Sequence, residues 1–143
     1  MTEMNIELVG HTPCAPSYAH PGDAGLDLHA VGHRYITRTP KAVPVGIKVA
    51  IPDGYVGLVC PRSGLAAKGV TVTNAPGVID SGYRGEVKVV LHHQGEEGGA
   101  YLLSHGERCA QLLIVPVARP EVTVVDRLDD TERGAGGFGS TGR

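Results

Sequence analysis

The 143-residue chain has no tryptophan, one phenylalanine and three cysteines, and its 13 Lys plus Arg stand against 15 Asp plus Glu for a formal net charge of -2. Each shortage excludes something. Without a basic surplus or a block of like charge there is no broad positive field for nucleic acid or an anionic membrane, so any phosphate must be held by locally aimed groups. No apolar run approaches the roughly 18 residues of a membrane helix. Met1-Thr2-Glu3-Met4-Asn5 lacks the basic and apolar regions of a secretion signal. The expectation is a cytoplasmic protein with neither nucleic acid nor membrane as partner. Cys14, Cys60 and Cys109 are odd in number, far apart and in no C-x-x-C arrangement, which argues for buried free thiols over a disulfide framework or a zinc site. A chain of this length forms one domain that buries about 70% of its unfolded surface.

What is abundant is glycine, 21 residues, spread evenly with 10 prolines. Few stretches are left that could hold a helix, so a helical bundle is excluded. Val45, Ile47, Val49 and Ile51 alternate with Gly46, Lys48 and Ala50, the period of a half-buried strand. Pro52-Asp53-Gly54 then turns the chain into Tyr55–Cys60, a hairpin signal. Further strands are predicted at Val70–Thr73, Glu86–His92, Tyr101–Ser104, Cys109–Val117 and Glu121–Val125. Helix formers cluster only at Ser63–Lys68, before Gly69, where one or two turns are expected. Short strands at regular spacing predict an all-β sandwich, barrel or jelly roll. The tail changes character at Arg133, so the chain divides into a β body, residues 1–132, and a glycine-rich arm, 133–143, within a single domain.

Several constellations could carry chemistry. In the arm, glycines flank Phe138 and follow Arg133, so the backbone can approach a ligand, offer N–H groups to phosphate and bring an aromatic ring over a flat base. The bland alternative is that Phe138 anchors the tail to its own or a neighbouring subunit. Arg62-Ser63 precedes the short helix, where an anion would fit, or where Ser63 caps the helix and Arg62 forms an ordinary surface ion pair. Asn74 carries both a donor and an acceptor, as reading a uracil-like edge requires, and Asp80 and Tyr83 follow as a general base and a ring to stack on a sugar. Taken singly, Asn74 is better explained by an Asx-type turn and Asp80 by a surface carboxylate. Asp27 lies between Leu26 and Leu28, and either orders a loop or faces a cation through water. Gln111, polar within an apolar strand, needs a partner. His92-His93 with Glu96-Glu97 can be drawn as a metal cluster, but adjacent histidines on a strand point to opposite faces.

Five segments, in this order and spacing, resemble the five motifs of the trimeric dUTPases: Ala24–Leu28 (AGLDL), Pro61–Gly69 (PRSGLAAKG), Asn74–Gly85 (NAPGVIDSGYRG), Gly106–Leu112 (GERCAQL) and Arg133–Gly142 (RGAGGFGSTG). The resemblance covers residues 24–142. It implies a distorted jelly-roll (β-clip) subunit with one short helix and a flexible C-terminal arm, in a homotrimer whose active sites lie between subunits. It also implies magnesium-dependent hydrolysis of dUTP to dUMP and pyrophosphate, which limits uracil incorporation into DNA and supplies dUMP for thymidylate synthesis. By that similarity Asp80 is the general base, Tyr83 packs against deoxyribose, and Asn74 with its hairpin reads uracil. Arg62, Ser63, Gln111 and Arg133 hold phosphates, Phe138 covers the base, Ser140 and Thr141 add contacts to the terminal phosphate, and Asp27 reaches Mg2+ through water. Gly64, Gly77, Ile79, Lys88 and Gly139 complete the implied substrate contacts.

The chain departs from the family pattern at Gly64, where many relatives have a second serine, at Ala135, where an acid or serine is common, and at Cys109, often isoleucine. None removes a catalytic group. The rival readings are a dCTP deaminase or bifunctional deaminase of the same superfamily, which uses a glutamate to move protons at the base, and a non-catalytic nucleotide-binding regulatory protein. The acid before Tyr83 and the long arm favour hydrolysis.

Overall fold

A computed structural model describes residues 2–10, 12 and 15–142. Cys14 lies outside the described residues; Cys60 is half-buried and Cys109 buried, both as free thiols. In chain order the elements are β1 (Asn5–Leu8), β2 (Leu26–His29), β3 (Arg34–Ile36), β4 (Lys41–Ala50), β5 (Tyr55–Cys60), α1 (Ser63–Ala66), β6 (Val70–Val72), β7 (Gly77–Ile79), β8 (Glu86–His93), β9 (Tyr101–Leu103) and β10 (Arg108–Pro116). They form two four-stranded sheets, β1-β4-β8-β6 and β2-β10-β5-β7, and a two-stranded ribbon of β3 and β9. Every pairing is antiparallel. The fold is all-β and jelly-roll-like, as expected, and among the described residues no helix is long and apolar enough to cross a membrane.

The period-two pattern of β4 is what closes the body. Val45, Ile47 and Val49 are buried, with Ile51 just beyond the strand, and they pack with Leu28, Leu91 and Leu112 in one core. Gly46 interrupts the strand at φ +69°, a conformation that costs other residues a Cβ clash. The pairing of β4 with β8 shifts register between Pro44 and Lys48 around it. The Thr12 hydroxyl donates to the Gly46 carbonyl (2.6 Å), in space that a side chain at 46 would fill.

One expectation needs correction. Residues 121–125 form no strand; Val122 and Val124 are 86% and 93% exposed. The β-branched side chains favour extended backbone, but among the described residues no strand pairs with them to take up their N–H and C=O groups. The helix is one turn, α1, within the one or two expected at 63–68, and Lys68 and Gly69 close it through i→i-3 bonds to Leu65 and Ala66.

Candidate active site

Strand β10 carries the first half of the site because it pairs on both edges. Gln111 lies opposite Asp27 of β2 on one side and Cys60 of β5 on the other, so Asp27 and Gln111 stand in one row across the sheet, with Arg62 just past the end of β5. Directly opposed residues share a face of the sheet. Asp27 is the one buried charged residue among those described. Its Oδ1 accepts the Arg62 Nε ion pair at 3.0 Å and its Oδ2 faces Arg108 Nη1 at 3.6 Å. The Gln111 amide donates from Nε2 to the Pro61 carbonyl (2.9 Å), the partner that a polar residue in an apolar strand required. Gly25 makes room for it: a Cβ there would lie 3.1 Å from Gln111 Cβ and overlap the amide oxygen. Together with Ser63 and Asp23 these residues line a cleft of about 360 Å³.

Arg62 therefore does not form the ordinary surface pair that was one expectation, because its side chain is only 26% exposed. The N-cap of α1 is Arg62 itself, without a side-chain cap bond, so Ser63 is not the cap and its hydroxyl is left for other contacts. With Nε committed to Asp27, the guanidinium retains its remaining N–H donors for an anion. Beside Asp27 on β2, burial pushes the His29 imidazole below its ordinary value of 6.5, against the attraction of Asp27 and with the repulsion of Arg108 and Arg62.

The second half stands elsewhere. Asn74 lies in the hairpin between β6 and β7, with its amide over Gly77; the Ala75–Pro76 peptide is cis. β7 alternates: Gly77 and Ile79 are buried, and Val78 is 64% exposed. Ile79 packs inward towards Gly57, which leaves its backbone as the part open to a ligand, and Val78 points outward. Asp80, exposed, ends the strand; its carbonyl accepts the Tyr83 N–H (3.0 Å), which folds Tyr83 back beside it. Asp80, Tyr83, Val78, Glu86 and Lys88 line a cleft of about 410 Å³. Glu86 and, in the other cleft, Arg108 are lining residues that sequence reasoning did not single out.

The two clefts share no lining residue. Antiparallel register explains why: β5 pairs with β7 from Val59↔Gly77 to Gly57↔Ile79, so Asp80 comes level with Val56 while Arg62 lies beyond the far end of β5. Six residues at about 3.3 Å each separate those levels by about 20 Å. The arm joins neither cleft. Its hydrogen bonds among the described residues, including Arg133 Nε to the Gly136 carbonyl (2.9 Å), stay within residues 131–142, and Phe138 is fully exposed at φ 50°. Arg133, Ser140 and Thr141 face a hollow of their own. The His92-His93 cluster dissolves, with His92 Nδ1 hydrogen-bonded to Thr73 Oγ1 and His93 Nδ1 accepting the Gly95 N–H. No group of three or more His, Cys, Asp or Glu gathers among the described residues.

A model of the dUTPase family matches residues 13–142. The chain belongs to the dUTPase family. The deoxyuridine 5'-triphosphate nucleotidohydrolase of Cutibacterium acnes is 47% identical over 144 residues, covering 99% of this chain and 94% of that protein. That of Thermobifida fusca is 51% identical over 129 residues, covering 89% and 72%. A mutant of the Staphylococcus bacteriophage 80alpha dUTPase with dUpNHpp superposes with a TM-score of 0.93 at 27% identity, over 100% of both chains. The dUTPase chain is thus a hydrolase of dUTP, a dUTP diphosphatase, and the choice between hydrolase and deaminase falls to the hydrolase.

Proposed function

We propose that the chain cleaves dUTP to dUMP and pyrophosphate at a site that copies of itself complete in a homotrimer, acting on the cytoplasmic nucleotide pool. The observation that carries this reading is the separation of the two clefts: the carboxylate suited to activate water and the groups suited to hold phosphates lie about 20 Å apart along β5. A second copy that sets its phosphate cleft against the first copy's base-reading hairpin brings them together, and the arm, bonded only to itself here, supplies the remaining wall.

Within such a site Asn74 and the backbone of Gly77 and Ile79 hold the uracil edge, and Tyr83 lies against the deoxyribose. Asp80 accepts a proton from water, whose oxygen bonds to the α-phosphorus as the bond from that phosphorus to the β-bridging oxygen breaks. Pyrophosphate leaves, and no covalent enzyme intermediate forms. Arg62, Ser63, Gly64 and Gln111 hold the phosphates, Lys88 adds charge beside the sugar cleft, and Arg133, Gly139, Ser140 and Thr141 close on the terminal phosphate with Phe138 over the base. Positioning and charge stabilisation carry most of such a reaction.

Magnesium suits this donor set. The Arg62 cleft offers Asp27, a hard oxygen ligand, and no cage of carboxylates. Mg2+ beside phosphates commonly takes one or two carboxylates and keeps its waters. Asp27 would hold it through water, and the ion would supply neutralisation of the phosphate charge.

The test is complementation. Asp80→Asn should lower turnover by about a thousandfold while dUpNHpp still binds, a loss in the range of a missing general base. Arg62→Gln should also be nearly inactive. When the two variants are unfolded together and refolded as mixed assemblies, pyrophosphate release from dUTP should return, because some sites then combine an intact Asp80 with an intact Arg62. A mixture no more active than its components would show that each chain builds its site alone.

A further inference from the structure

Tyr83 is an exposed side chain held at both ends. Its N–H closes the turn onto the Asp80 carbonyl, and its hydroxyl donates to the Glu86 carbonyl at 3.0 Å. Arg84 ties the same turn from its other side, with Nη1 donating to the carbonyls of Ser81 (2.7 Å) and Tyr83 (2.9 Å). To reach Glu86 the phenol must cross the backbone of Gly85. A Cβ on Gly85 would lie 2.6 Å from Tyr83 Cζ and 2.9 Å from Cε2, and would overlap the hydroxyl oxygen as well. These separations are far inside contact distance, and the group that would have to yield is the ring. Gly85 has no positive φ, so its backbone tolerates alanine, whereas Gly82 in the adjoining turn has nothing within 4 Å of its own Cβ position. The missing side chain at 85 serves the ring and not the turn.

We propose that Gly85 is a positioning residue for sugar selection: its bare backbone is the seat on which Tyr83 rests, and that seat holds the ring where a 2′-hydroxyl would have to sit. The proposal rests on the reading of Tyr83 as the sugar-facing side chain. Steric rejection works only against a wall that does not move. A ring free to swing aside would admit a ribose with little loss, whereas one seated on backbone and bonded to the Glu86 carbonyl must break both contacts to do so.

The experiment compares the full-length parent with Gly85→Ala, Tyr83→Ala and the double variant, measuring kcat/KM for dUTP and for UTP. Gly85→Ala is expected to raise the UTP-to-dUTP ratio by about tenfold, and Tyr83→Ala to raise it at least as much. The double variant should match Tyr83→Ala, since without the ring the seat has nothing to hold. A purely structural loss lowers both substrates together and leaves the ratio unmoved. If Tyr83→Ala relaxes the ratio but Gly85→Ala does not, or if the two effects multiply, the role of Gly85 is refuted while that of Tyr83 stands. An unchanged ratio in Tyr83→Ala overturns the sugar-facing reading, and the seat falls with it.

Discussion

The two clefts are built in opposite ways. Around Asp27 the charged and polar groups engage one another: two arginines face one buried carboxylate, and Gln111 braces the Pro61 turn from the neighbouring strand. Around Asp80 the carboxylate is exposed and forms no ion pair or side-chain hydrogen bond among the described residues, and the loop is shaped by backbone bonds and by the side chains of Tyr83 and Arg84 bonding to backbone carbonyls. The half proposed to hold phosphates is preorganised inside a single chain. The half proposed to activate water is an open shelf, which on that reading needs an opposite wall.

Removing the arm gives the largest expected contrast. Truncation after Glu132 should slow pyrophosphate release by about a hundredfold or more, because closure and orientation are lost. The thermal midpoint and assembly should stay where they were, since the arm's hydrogen bonds among the described residues reach no further into the body than Thr131. Full activity in the truncated protein would mean that the shelf finds its wall without the arm. Asp27→Asn sharpens the contrast in stability: two arginines would lose their shared anion, and urea denaturation should show a loss of about 2–3 kcal/mol. Asp80→Asn should leave the urea midpoint unchanged.

The smallest effect is one of pH. His29 takes up its proton at lower pH in the folded chain than near 6.5 in the unfolded chain, so its contribution is fully present above 6.5 and is lost as pH falls below it towards the folded value. Its Nδ1 is buried without a hydrogen-bond partner among the described residues. The difference in unfolding free energy between the parent and His29→Gln should therefore shift against the parent below pH 6.5 and be flat above it. A difference that stays constant with pH would remove His29 as a group whose titration is linked to folding.

Much of the body was legible in the sequence wherever alternation ran long enough. The strands of the β4–β5 hairpin, and those at residues 86–93 and 108–116, stand close to where apolar spacing put them. β1, β2, β3 and β7, of three or four residues each, went unpredicted, whereas the equally short β6 and β9 were predicted. Val122, Val124 and Val125 misled because propensity describes how a side chain suits a pleated surface, and no such surface is supplied to them here. The site residues were singled out by their chemistry and position, and their roles came from the resemblance to five motifs. What the resemblance alone could not reveal was that Asp80 and Arg62 belong to different clefts of one chain, since that follows from the register of β5 against β7 and is a property of pairing, not of composition. Nor was the Asp27–Arg62 pair visible, because alternation gave Asp27 a face without saying what lay across from it.

β10 places Gln111 towards the cleft and buries Leu112 and Ala110 on either side of it. Core and function are thus interleaved at single-residue spacing along one strand. A slip of one position against its neighbours would turn the amide into the apolar interior and a leucine out among the arginines, spoiling folding and turnover in the same stroke. Insertions and deletions in this strand should accordingly be tolerated nowhere between Cys109 and Leu112, while the loops at either end remain free to vary in length.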